Sequence, residues 1–324
     1  MKKIIQIIFI FSLICLIVLY VDETEEIKRC EISSKPYPAY QIEMPQIAYT
    51  KKFRHIKVPE FWISKLKHPD RTIMNTVQIK QLNKQTAEVK RVIFPPQDFD
   101  TSYPGDWVRG KLAKLQTFLS EKAFYTEEGD AISDALTKAL QANSNIYAVP
   151  DTITTRYALV VDYANHRISP THQTLLKEPQ QHYFDRNQNA ALDIGTPLAI
   201  LHQSSDKKWY FALSPSSYGW IAAEDIALTT RKKMLAFAQS KNFVVTINPK
   251  NALWINHHYD NFVRMGVRLP YLGGLGIYMQ VQIPKRDDEG ALLLHVALIK
   301  RSDVHHGYLA YTQRTIITQA FKFL

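Results

Sequence analysis

The sequence predicts an α+β protein: a helical N-terminal region followed by two small β-barrels, with an apolar leader or anchor ahead of them. Three observations carry this reading. Up to about residue 143, apolar residues recur at helical spacing. From residue 157 onward, apolar runs are short, β-rich and broken by turn signals. These β-rich runs fall into two stretches of similar size, divided by a basic helical linker at 231–240. The length of 324 residues, 46% apolar and 22% charged, suits two or three folded domains rather than a disordered or fibrous chain.

The elements follow in order. Lys2 and Lys3 precede an apolar run at 4–21, interrupted only by Gln6 and Ser12, and acidic residues begin at Asp22. A charged start and an apolar run read as an export signal, and at about 1.5 Å per residue the run is long enough to span a bilayer. Leu19, Tyr20 and Val21 offer no small residues for cleavage, which favours an anchor over a removed signal. Leu13 and Ile14 make a poor lipid-attachment box before Cys15. The basic start stays inside, so the bulk of the chain is expected in the cell envelope, on the periplasmic or extracellular side. Residues 22–57, with Pro36, Pro38 and Pro45, read as a tether.

A helical region is expected over 58–155. A short helix near Pro59 carries Phe61, Trp62 and Leu66, and a second runs from about residue 70 to 86 with Ile73, Val77 and Leu82. Val108, Leu112, Leu115 and Leu119 recur at i, i+4, i+7 and i+11 and set a helix over 106–120. Thr126 can cap a fourth, with Ile132, Leu136 and Leu140 on one stripe and an end near Asn143.

The first barrel is expected over 156–230, from strands at 157–161, 198–201, 209–213 and 220–221. The second is expected over 241–311, from strands at 243–247, 252–255, 276–283 and 292–299, with a turn at 287–290. No strong repeat of residues links the two. The last stretch, 312–324, reads as a helix with Ile316, Ile317, Ala320, Phe321 and Leu324 on its apolar side.

Charge and cysteine usage narrow the chemistry. The net charge is +10, and residues 51–91 hold eleven basic residues, from Lys51 to Arg91, against Glu60, Asp70 and Glu88. Such a stretch favours anionic partners. In an exported chain these are a lipid surface or cell-wall carboxylates rather than nucleic acid, the alternative being a solvated basic face. Cys15 and Cys30 are the only cysteines, so residues 31–324 supply no thiol nucleophile, disulfide or thiolate metal site. His257-His258 and His305-His306 are adjacent pairs, each offering one ligand to a given side of a strand, and read as surface or turn residues. Gly273-Gly274-Leu275-Gly276 lacks the lysine of a phosphate loop and reads as a loop, and Ser216-Ser217 has no nucleophile-elbow pattern. No cofactor or metal is expected.

The stretch 166–228 carries a resemblance. It reads His-Arg-Ile-Ser-Pro-Thr at 166–171, Tyr-Phe-Asp-Arg-Asn-Gln at 183–188 and Gly-Thr-Pro at 195–197, then Lys-Trp-Tyr-Phe at 208–211 and Tyr-Gly-Trp-Ile at 218–221. This resembles the bacterial SH3-like domain that precedes the catalytic domain of NlpC-type cell-wall cysteine peptidases. Residues 99–162 are similar to the family's helical region, and Leu269-Pro270, 283–287 and 307–312 to its second SH3-like domain. The final 319–324 is similar to the helix entering the catalytic domain. The family's Tyr-Gly-Trp-Gly strand and Asp-Cys-Ser nucleophile motif do not follow. The resemblance implies an exported peptidoglycan-binding protein, the substrate-recognition part of a murein endopeptidase without its own nucleophile. Alternatives are a split or truncated γ-D-glutamyl-diamino acid endopeptidase with a separate catalytic domain, and an envelope scaffold for a protein partner. It implies stem peptides as ligand and Asp185, Tyr218 and Trp220 as the residues that meet them, an aspartate for a peptide amine and aromatics to cover the stem. No catalytic residue is expected in the chain.

Overall fold

The computed structural model describes residues 56–324, apart from 91, 121 and 182. The expected leader at 4–21, both cysteines and nearly all of the tether lie outside the described residues. Among the described residues no helix is long and apolar enough to cross a membrane.

Helix α1, Pro59–Ile63, opens on a proline, where a missing N–H costs nothing. Helix α2, Thr76–Glu88, starts later than the spacing of Ile73 and Val77 suggests. Residues 70–73 are engaged elsewhere: Asp70 pairs with Arg314 at 2.7 Å, and the Ile73 N–H donates to the Tyr311 carbonyl. Asn75 and Gln78 then form a reciprocal capping box that fixes the true start. Helix α3, Gly105–Ser120, buries Val108, Leu112 and Leu119 as its period predicts. Helix α4, Asp134–Asn143, is capped by Ser133 rather than Thr126. Thr126 instead closes a turn with Asp130 over Gly129, whose φ of +92° suits glycine. Strands β1, Ser102–Pro104, and β2, Thr152–Thr154, pair antiparallel before α3 and after α4.

The first sheet has seven antiparallel strands: β3 Arg156–Val160, β4 Ala164–Arg167, β5 Gln188–Leu192, β6 Pro197–Gln203, β7 Trp209–Leu213, β8 Tyr218–Ala222 and β9 Ile226–Thr229. Their spatial order is β5-β4-β8-β7-β6-β3-β9. Helix α5, Arg231–Ala238, capped by Thr230, leads to the second sheet. Its strands are β10 Phe243–Thr246, β11 Lys250–Ile255, β12 His258–Arg264, β13 Arg268–Leu275, β14 Tyr278–Arg286, β15 Leu292–Lys300 and β16 Val304–His306. Their order is β12-β11-β15-β14-β13-β10-β16. Adding seven to each strand number of the first sheet gives the second, so the two share one topology. In both, a single 3₁₀ turn, 223–225 or 301–303, precedes the last strand. The internal repeat is in connectivity, not in residues.

The ladders do not close into barrels as the sequence led one to expect. In the first sheet, β5 and β9 remain the two ends of the ladder, and at the middle of β9 the Leu228 N–H donates not to β5 but to the Gly290 carbonyl at the tip of the β14–β15 hairpin. Six strands of the two sheets, β4, β5, β9, β12, β13 and β16, lie outside the expected strands. Gly273 and Gly274 sit in β13, and Gly276-Ile277 is the two-residue turn into β14. His257 lies in the corresponding β11–β12 turn, beside Asn256, and both have positive φ. His258, His305 and His306 are exposed strand residues.

One apolar core runs through the helical region and both sheets, including Val108, Leu112, Phe211, Trp220, Leu253 and Val281. Helix α6, Gln313–Ala320, capped by Thr312, contacts α1, and the Lys322 ammonium donates to the Ile247 carbonyl at 2.8 Å.

Candidate functional site

The connection from β4 to β5, residues 168–187, is the long loop of the first sheet, and a buried polar node folds it. Arg167, at the end of β4, pairs with Asp185, with side chains 4% and 17% exposed. Its guanidinium also donates to the carbonyls of Thr171 at 3.1 Å, His172 at 2.8 Å and Gln173 at 2.9 Å. The second Asp185 oxygen accepts from the backbone N–H of Leu175 and Asn187. Asn187, fully buried, accepts from the Ser169 N–H and hydroxyl at 2.8 Å and donates to the Thr171 and Gln173 carbonyls. Charge, donors and acceptors are all satisfied within the protein, as a buried ion pair requires. The Asp185 carboxylate is thus engaged by Arg167 and the loop backbone. Tyr183 and Phe184, just ahead of it, are exposed.

The turn between β7 and β8 is set by a second node. His166 is fully buried, with Nε2 3.2 Å from the Ala212 carbonyl and Nδ1 2.8 Å from the Ser217 Oγ. A carbonyl only accepts, so the neutral ring donates from Nε2 and accepts a hydrogen bond from the Ser217 hydroxyl at Nδ1. Burial pushes the His166 pKa down to about 4. Such a ring is a weak base at neutral pH, and the pair pins the 214–217 turn rather than activating Ser217. Gly219 lies against this node: a Cβ there would fall 2.5 Å from the Arg167 carbonyl oxygen. Sequence reasoning missed this pair, because 51 residues separate its members.

Tyr218 emerges beside that turn. It is half-buried, its ring meets Phe211 edge-on, and its carbonyl accepts from the Asn189 side chain at 2.7 Å. The Lys111 ammonium, from α3, lies 4.6 Å from the Tyr218 ring centre and 5.2 Å from that of Trp107. Burial and Lys114 hold the Lys111 pKa below the ordinary lysine range. Trp220 is 1% exposed, packed edge-on against Phe211 at 5.6 Å and His202 at 6.2 Å. The structure therefore places Tyr218 at the surface, with Trp220 beneath it in the core and Asp185 on the loop node. His202 ties this sheet to the helical region by donating from Nε2 to the carbonyls of Ser144 and Asn145. Among the described residues, no group of three or more metal-ligating side chains comes together.

Among the described residues, the basic residues expected to meet anions are Lys57 ahead of α1, Lys65, Lys67 and Arg71 between the two helices, Lys80 and Lys84 on α2, and Lys90 after it. Lys65, Lys67, His68 and Arg71 line an open cleft of about 460 Å³ beside Gln313. Lys51, Lys52, Arg54 and Arg91 lie outside the described residues.

Comparison with known proteins bears on the same region. Residues 174–222 match the family model of the SH3 domain of SH3b1 type, a span that holds Asp185, Tyr218 and Trp220. A solved structure of an NlpC/P60 endopeptidase from Photobacterium damselae subsp. piscicida superposes with a TM-score of 0.63 at 19% identity. The match covers 79% of this chain and 58% of that one, so the chain shares that protein's fold over a little more than half its length. An NlpC/P60 family protein from Bacillus cereus ATCC 10987 matches 37% of this chain and 39% of its own at 19% identity, with a TM-score of 0.29, too low to bear on the fold. No curated protein matches the chain.

Proposed function

We propose that this is a cell-envelope protein whose first sheet binds peptidoglycan stem peptides at the surface around Tyr218. The observation that carries this reading is the SH3b1-type match over 174–222, since domains of this kind commonly bind peptidoglycan. The shared fold with an NlpC/P60 endopeptidase supports it. In this reading Tyr218 contacts the peptide. Asp185 and Trp220 act through position: Asp185 holds the loop by way of Arg167, and Trp220 supports the strand that presents Tyr218. The second sheet, of identical strand order, is a second SH3-like module. The basic residues of 51–91 face anionic lipid or wall polymer.

Isothermal titration of the full chain with purified muropeptides tests the proposal. Saturable binding that Tyr218→Ala weakens about tenfold, equivalent to 1.4 kcal/mol, supports it. Absence of binding to every stem peptide contradicts it.

A second reading is favoured by the overlap with just over half of the endopeptidase. Here the chain's sheets present substrate to a peptidase centre, and the same muropeptides are cleaved at the γ-D-glutamyl-diamino acid bond. Chromatography of the same peptides incubated with a separate NlpC/P60 catalytic domain, with and without the chain, separates the two readings: cleavage accelerated by the chain supports the second, and an unchanged rate supports binding alone.

A further inference from the structure

The two ladders repeat each other pair for pair. Across the first sheet one row of cross-strand partners reads Gln188, Arg167, Trp220, Phe211 and His202. Across the second the same row reads Tyr259, Trp254, Leu298, Gln280 and Gly273. In each sheet the register shifts beside the second and the fifth of these positions. Cross-strand partners share a face, so the rows mark the same face of the two sheets. In the first sheet that face is covered. Trp220 and Phe211 share a core with Val108 and Leu112 of α3, the 168–187 loop closes over Arg167, and His202 donates to the carbonyls just past α4. In the second sheet it lies open. Tyr259 is 56% exposed, and Val296, which takes the place of Tyr218 in the ladder, is 51% exposed. Trp254, Leu298 and Gln280 are half-buried. The row carries no charged residue, in a protein of net charge +10.

Helix α2 is the converse case, an apolar stripe without a surface to cover. None of its 13 residues is buried. Ile79, Leu82, Thr86 and Val89 recur at i, i+3, i+7 and i+10 and share one side, with Leu82 and Val89 exposed. The Thr86 hydroxyl donates to the Leu82 carbonyl at 2.8 Å, which leaves its methyl group on that side. Lys80, Lys84 and Glu88 lie opposite, where Lys84 pairs with Glu88 at 3.8 Å. A helix of this length is marginal alone and draws its stability from packing such a stripe. At about 1.5 Å per residue α2 spans about 20 Å. The row on the second sheet crosses four strand spacings of about 4.8 Å, or about 19 Å. In its own chain the end of α2 is held at the first sheet, where Ala87 and Glu88 line a groove with Trp107 and Leu213.

We propose that α2 of one copy lies across this row on a second copy, so that the chain forms a two-fold dimer with two identical helix-on-sheet contacts. Both halves of the contact are on one chain, which makes the occupant a second copy. The stripe of Leu82 covers Trp254, Leu298 and Val296, as α3 covers Trp220 and Phe211 in the first sheet. Asn83 and Gln85 flank the stripe and bring amides to Gln280 and Gln282, whose side chains form no hydrogen bond among the described residues. Those glutamines need such partners once water is excluded. Lys80 and Lys84 stay on the solvent side. Because each copy gives one helix and receives one, the assembly closes at two chains.

Sedimentation velocity of the full chain over a concentration series tests this. A dimer is expected to form as concentration rises. Leu82→Glu changes a helix with no buried residue, and Val296→Glu an exposed strand position, so each should keep the wild-type circular dichroism spectrum. Each should weaken self-association about tenfold or more. The two variants are then mixed. Their heterodimer keeps one contact with both members intact, and a contact broken by one substitution loses little more to the other. The mixture should therefore dimerise more tightly than either variant alone. A chain that stays monomeric at every concentration overturns the proposal. So does a dimer that survives both substitutions, or a mixture no tighter than its components.

Discussion

The two sheets have one connectivity and opposite characters. In the first, β4 and β5 are joined by residues 168–187; in the second, β11 and β12 are joined by the two-residue turn Asn256-His257. The long loop is folded by Arg167, Asp185, Asn187 and Ser169, all buried or nearly so. Strand β7 is buried at all five positions, whereas its counterpart β14 alternates and β15 leaves Leu294 and Val296 exposed. The helical region, through His202 and the Tyr103–Trp107 stack, covers the first sheet. The difference teaches that topology supplies the frame, while a buried polar loop and a covering layer make one copy a candidate recognition surface.

Substitutions can break that contrast. The largest effect is expected at Arg167→Met, which strands the Asp185 carboxylate and should cost about 3–5 kcal/mol in denaturant unfolding. The ion pair of the second sheet, Lys285 with Asp260 at 2.7 Å, is more exposed, and Lys285→Met should cost about 1 kcal/mol. Equal losses would show that the loop node is not special.

The next effect is a pH dependence centred on the first sheet. The His166 pKa is about 4 in the folded protein against an ordinary 6.5, so between these values the unfolded chain binds a proton that the folded one refuses. Stability therefore falls as pH drops from 6.5 to 4, by about 3 kcal/mol at 1.36 kcal/mol per unit. Asp225 opposes this: burial, with Glu224 and Asp162 nearby, raises its pKa to about 6, so its contribution is lost as pH rises from 3.8 through 6. Asp225→Asn should remove the opposing slope and steepen the acid loss, read from melting temperatures at pH 4, 5 and 6.5. A flat profile in that variant would contradict the neutral buried His166.

Smaller effects follow. Gly219→Ala drives a methyl into the Arg167 carbonyl and should cost about 2 kcal/mol, as overpacking does. Gly276→Ala, in the open β13–β14 turn at φ +59°, has space around it and should cost about 1 kcal/mol from backbone strain alone. Leu294→Gln on the exposed face of β15 should change stability by about 0.5 kcal/mol or less.

The sequence was most legible where the chemistry is local. The apolar period of 108–119 and the runs at 209–213 and 292–299 became α3, β7 and β15. Strand β5, Gln-Asn-Ala-Ala-Leu, and β12, His-Tyr-Asp-Asn-Phe-Val-Arg, have weak strand character and are held by their neighbours in the ladder. The Asn75–Gln78 capping box was readable from spacing alone, and with it the start of α2. The role of Asp185 was not, because its partner Arg167 lies 18 residues upstream and only the folded loop joins them. Of the three site residues read from the resemblance, Tyr218 lies at the surface, while burial, visible only in three dimensions, sets Trp220 and Asp185 behind it.

The most direct test of the central claim is an NMR titration of the full chain with a murein stem tripeptide. The account predicts saturable shifts in the amides of Asn189, Tyr218, Lys111 and Trp107, with strands β10 to β16 unmoved. Shifts confined to the second sheet, or none at a millimolar excess of peptide, would contradict it.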